Sequence, residues 1–167
     1  TLTVDSLLGA VEIRDAVGPV QVRSRGEFPL RADNLQQGGS FELYQARAEF
    51  SNVSGPLHVS NFRGSVLLRD LRPEVDARVV SESGPVYLLL TQDALPDLLA
   101  ASVFGSIQSD LPLNHSTEGK LTIARNADAA ARQHVELRTT FADIIIQRKG
   151  AEPGPAPANG RGAQPFK

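Results

Sequence analysis

Residues 51–71 read SNVSGPLHVSNFRGSVLLRDL, and the same short phrase stands in them twice. Gly55-Pro-Leu-His-Val59 is answered nine residues later by Gly64-Ser-Val-Leu-Leu68. The phrase is a glycine, a small or turn residue, an apolar residue, an outward-looking residue and a second apolar one. Apolar positions at period 2 mark a half-buried strand. A glycine before each strand marks a turn or a close backbone approach.

Working outward, the phrase recurs at Gly9–Ile13, Gly18–Val22, Gly26–Leu30, Gly39–Leu43, Gly84–Leu88, Gly105–Ser109, Gly119–Ile123 and, with alanine for glycine, Ala142–Ile146. The third and fifth positions of the ten copies make twenty slots, of which only Ser109 is polar. These slots are the predicted core. Glycine-to-glycine steps cluster near 9 and near 20 residues. A coil of about 20 residues carrying two strands accounts for both, the longer steps skipping one degenerate half. Internal periods of this size point to stacked repeats. The fold expected is therefore all-β, a single-stranded parallel β-solenoid of roughly 7 coils, with strands about 4.8 Å apart. The rival is an antiparallel sandwich, which requires hairpin signals. Asn-Gly and Asp-Gly are absent from the strand region, and Gly38-Gly39 is its only such dipeptide.

Two stretches depart from the pattern. Thr91–Ala100 reads as a looser link in which Pro96 breaks any strand, and the Ala-rich stretch Asn126–Gln133 as a loop or single helical turn. Residues 150–167 change composition sharply, toward proline and glycine, with Phe166 the one large apolar side chain. This divides the chain into a β-domain over 1–149 and a disordered tail over 150–167.

Composition narrows the function. The 167 residues carry a formal net charge of −2, so no basic field points to nucleic acid. No apolar run is long enough to span a membrane. There is no cysteine, hence neither disulfide nor thiolate metal site. There is also no methionine, the initiator included, which predicts upstream sequence that caps the first coil. The other end is expected to close on the apolar Ile144-Ile145-Ile146, so both ends look thinly capped.

The second half resembles the adhesin-like family of bacterial β-strand-repeat domains, whose biochemical role is undefined. The residues that carry the likeness are Ser83-Gly84-Pro85-Val86 with Leu88-Leu89-Leu90, Ser102–Ile107, Ser109-Asp110-Leu111-Pro112 and Arg138–Ile146. The family's Gly-Asp becomes Gly-Pro, Gly-Ser or Gly-Ala in most copies, and Asp survives only at Asp143. The resemblance implies a parallel β-solenoid tied to the cell envelope, periplasmic or surface-exposed, with no catalytic residues to carry over.

No motif argues for catalysis. His58, His115 and His134 have no metal-ligand spacing. No Gly-x-Ser-x-Gly elbow, phosphate loop or calcium repeat occurs. Four copies place an arginine five residues after the glycine: Arg14, Arg23, Arg31 and Arg69. Stacked into a row, these would bind anionic groups of a glycan or lipid head. The plainer reading pairs them with the nearby Asp15, Asp33 and Asp70. If two strands make one coil, Arg14 and Arg23 also fall on different sheets.

The function expected is a non-enzymatic structural or adhesin-like binding module of a bacterial envelope-associated protein, without cofactor. Its partner would be another copy, an envelope protein or a glycan, held on a flank or an end. The alternatives are a regulatory or sensory module of an envelope-stress system and, below it, a carbohydrate-active β-helix enzyme. The enzyme would need clustered Asp, Arg or Lys on one sheet face, and the outward positions of the repeats hold two Glu and no Asp.

Overall fold

The computed structural model describes residues 1–72, 75–91, 95–126 and 133–149. The expected tail, and most of the Ala-rich stretch, lie outside the described residues. Within them the chain is all-β, without helix. In order the strands are β1 (Leu2–Ser6), β2 (Val11–Ala16), β3 (Val20–Ser24), β4 (Leu30–Leu35), β5 (Gly39–Leu43), β6 (Ala48–Val53), β7 (Leu57–Asn61) and β8 (Val66–Arg69). Then come β9 (Ala77–Ser81), β10 (Val86–Leu90), β11 (Asp97–Ser102), β12 (Ile107–Ser109), β13 (Asn114–Glu118), β14 (Leu121–Asn126), β15 (His134–Thr139) and β16 (Ile144–Arg148).

Through β12, successive strands alternate between two open sheets. The first runs β1-β3-β5-β7-β9-β15-β11-β14-β13, the second β12-β16-β10-β8-β6-β4-β2. Neither closes into a barrel. Pairing is parallel throughout, except that β14 runs antiparallel to both β11 and β13. Val20 lies opposite Gly39, Gly39 opposite Leu57, and Leu57 opposite Ala77, so each step along the first sheet advances 18 to 20 residues.

One apolar core joins the inner faces. Phe41 of β5 meets Phe50 of β6 edge to face, ring centroids 4.7 Å apart. Gly39 makes room for this: a Cβ there would come within 2.6 Å of the Val20 carbonyl oxygen and 2.9 Å of the Phe41 ring. Ala32 and Leu68 flank Phe50 in register, and both are buried. The two rings thus each have a small residue nearby, Ala32 beside Phe50 and Gly39 before Phe41, which lets the core fill without voids.

Two sets of polar residues shape the corners. Asp15, Asn34, Asn52 and Asp70 all hold a left-handed backbone, with φ between 52° and 56°. Asn and Asp are the side-chain-bearing residues that tolerate this region best. The kink lets two consecutive residues face outward, after which Leu35, Val53 and Leu71 return to the core. At the ends of first-sheet strands, buried Asn61, Ser81, Ser102 and Thr139 bond the turn three residues on. The Ser81 hydroxyl donates to the Gly84 carbonyl at 2.7 Å, and the Ser102 hydroxyl accepts from the Gly105 amide at 2.9 Å. Turns so fastened stack very closely, and a Cβ on Gly84 would lie 1.7 Å from the Gly64 carbonyl oxygen.

Most predicted slots face inward, with four corrections. Phe28 is exposed, because β4 begins only at Leu30. Leu121 and Ile123 face outward, since β14 pairs antiparallel to β11 with Ala124 opposite Ala100 inside and Ile123 opposite Ala101 outside. Residues 97–100 are strand rather than link: Pro96 precedes β11, whose Leu98 and Ala100 are buried. Finally, Ile144–Ile146 does not close the stack. β16 lies between β10 and β12, and β15 between β9 and β11. The first sheet ends instead on the hairpin β13–β14, with every residue of β13 exposed.

Candidate functional site

The outer face of the second sheet carries the densest set of charged side chains on regular strands. Register builds it in two rows. Glu12, Arg31, Glu49 and Leu67 stand side by side on β2, β4, β6 and β8. Two positions along, Arg14, Asp33, Ser51 and Arg69 form the second row. Each arginine therefore has an acid within reach, on its own strand or the next. Arg14 pairs with Glu12. Arg69 meets Glu49 at 3.0 Å, and Arg31 approaches the same carboxylate at 4.0 Å. The Nε of Arg69 is buried without a partner, so the whole fork is not satisfied by Glu49.

The aspartates named by the sequence do other work. Asp33 Oδ1 accepts from the Ser51 hydroxyl at 2.7 Å and from the Asn52 amide at 2.8 Å. These two bonds, the hydroxyl first, hold the carboxyl below its ordinary value near 3.8. Asn34 donates to Asp15 at 2.7 Å, and Asp70 receives Lys149 at 3.9 Å. A shallow groove of about 360 Å³ runs over β2, β4 and β6 between these rows.

Of the four predicted arginines, the structure brings Arg14, Arg31 and Arg69 onto this face. Arg23 stands on the outer face of the first sheet, where it pairs with Glu42 of β5 at 3.0 Å. The three histidines sit on β7, β13 and β15 of that sheet and do not converge. His134 Nδ1 lies 2.9 Å from an Asp97 carboxylate oxygen. Among the described residues no group of three His, Cys, Asp or Glu is placed to hold a metal ion.

Sequence reasoning missed a third feature, at the corner that follows the first-sheet strands. Tyr44 stacks on Phe62 at 5.0 Å, with Arg63 over the Phe62 ring, and Phe104 stacks on Phe141 at 5.2 Å, with Lys120 over Phe104. The signal was an aromatic one or two residues before the turn glycine or alanine at 46, 64, 105 and 142. Among the described residues, no helix is long and apolar enough to cross a membrane. Compared with known proteins, the chain matches no family model, no curated protein and no solved structure.

Proposed function

We propose that the chain is a parallel β-solenoid of about 20 residues per coil, serving as a non-enzymatic structural or adhesin-like binding module of a bacterial envelope-associated protein. The observation that carries this reading is the pair of rows on the second sheet, in which side chains of the same and of successive strands pair along the surface. Side chains used this way build a flat, repeating face rather than a convergent cleft. A repeating face suits a repeating partner, and an acidic glycan is the one its arginines favour. Arg14, Arg31 and Arg69 are the contact cations in this reading, each exchanging a glutamate for a carboxylate or sulfate of the glycan. Arg23 would act from the other sheet.

The test is retention on an immobilised acidic glycan. The chain is expected to bind at low salt and to elute as salt rises, because exposed charge pairs are screened. A variant carrying R14Q, R31Q and R69Q is expected to elute earlier. Equal retention of that variant would remove the arginines from the reading. Release of shortened glycan would replace it with the carbohydrate-active enzyme. Fractionation of the producing cell tests the location, and recovery away from the envelope would overturn that part.

A further inference from the structure

On the outer face of the first sheet, the polar rows give way to apolar side chains at one place. Following the register across the sheet, the outward row reads Asp5, Arg23, Glu42, Ser60, Val80, Arg138, Ala101 and Ile123. Ala101 is the smallest of these and makes a dip. Leu99 on the same strand and Val103 just past its end bound it lengthwise, Ile123 stands on one neighbouring strand, and Arg138 on the other. The depression measures about 390 Å³, at the small end of ligand-binding sites. It exists because the register of β14 against β11 sets Ile123 opposite the outward Ala101, which turns Leu121 and Ile123 outward rather than into the core.

The charged side chains that line the dip, Arg125 and Arg138, have one sign, while Glu136 stands opposite Leu99 on β15, outside the lining. Arg125 lies opposite Leu99 at one end, exposed, and among the described residues its guanidinium has no hydrogen-bond or ion-pair partner. Arg138 lies across the dip and shares Glu136 with Arg78, so one carboxylate serves two arginines. No carboxylate lines the depression itself. An apolar floor one side chain wide, with an unpaired arginine at its end, is complementary to a single aliphatic chain that ends in an anion. It is poorly suited to a second copy of the same face, because a two-fold contact sets the lining against itself, and that lining holds two arginines and no carboxylate.

We infer that this depression is a binding site for a long-chain carboxylate, with the aliphatic chain over Ala101, Val103 and Ile123 and the carboxylate on Arg125. The site is separate from the glycan-binding face of the second sheet and does not depend on it. Arginine suits the role because its planar fork takes a carboxylate bidentately and stays charged at every working pH.

Amide-resolved NMR titration of the whole chain at neutral pH tests this, with dodecanoate below its micelle concentration as the probe. The expected result is saturable shifts confined to Leu99, Ala101, Val103, Ile123 and Arg125. Dodecanol, with the same chain and no charge, is expected to bind about fivefold more weakly, which corresponds to roughly 1 kcal/mol. Arg125→Gln should bring dodecanoate down to the dodecanol level. Ala101→Leu should fill the dip and abolish binding of both, with the thermal midpoint unchanged because the side chain faces outward. Three outcomes would overturn the inference: no shift up to the micelle concentration, shifts centred on the exposed Leu7 and Leu8 instead, or dodecanol binding as well as dodecanoate with Arg125→Gln inert. Light scattering that shows a ligand-free dimer dispersed by Ala101→Arg would likewise overturn it, by assigning the face to a second copy.

Discussion

Asp33 shows how one residue's role follows from stacking. In isolation it is an acid beside arginines; in register with Ser51 it becomes the acceptor for two donors from the next strand. Its carboxyl is held below its ordinary value, so these bonds stabilise the fold fully above the unfolded acid's value near 3.8. That contribution drains away as pH falls through the lower folded value. Asp33→Asn should therefore flatten the acid limb of a plot of urea midpoint against pH, while leaving its shape near neutrality alone. Leu88 illustrates the other face of the same periodicity. It is buried in β10 between Leu68 and Ile146. Leu88→Ala should cost about 2–5 kcal/mol by denaturant unfolding. An unmoved midpoint would place the register one residue out, since such a slip exchanges inward and outward side chains.

Strands β2, β3, β5, β7, β8 and β10 were legible in the sequence because their period-2 pattern and their turn glycines agree, whereas β6 and β9 lie in no copy of the phrase. Val20-Val22, Leu57-Val59 and Val86-Leu88 all point inward as read. β14 was not legible: Leu121 and Ile123 fit the phrase perfectly well, yet the register against β11 decides which face they take, and register is a property of the partner. The arginines were half legible for a related reason. Neighbours in sequence suggested Asp15, Asp33 and Asp70 as partners, while the acids met across the strands and two places along them are Glu12, Glu42 and Glu49. β16 was misread for the longest-ranged reason. Its isoleucines look like an exposed closing strand, but they pair with Val86 and Leu88 on one side and with Ile107 and Ser109 on the other. Amide exchange should find the β16 protons among the slowest in the molecule, as for β8 and β10, and Ile146→Ala should cost as much as Leu88→Ala. Fast exchange there would return β16 to the rim.

At the scale of the molecule, two kinds of pairing coexist. From β1 to β10 each strand meets one laid down a single step earlier, whereas β10 meets β16 only after β11 to β15 have been passed. Pairing over such separations is slow to nucleate. A chain ended after Asn126 should keep its exchange protection from β1 to β8, while β11 and β12 lose theirs for want of the strands between them and β9 and β10. Retained protection of β11 would mean that those strands dock without the insert. The inserted strand also has a mechanical meaning. A strand at the rim can be peeled away one hydrogen bond at a time. β16 is bonded along both edges, so a load applied at Lys149 along the strand must shear two ladders at once. Whatever is tethered at that point pulls on a strand one in from the end of the second sheet, held by β10 along its whole length and by β12 over its first three residues.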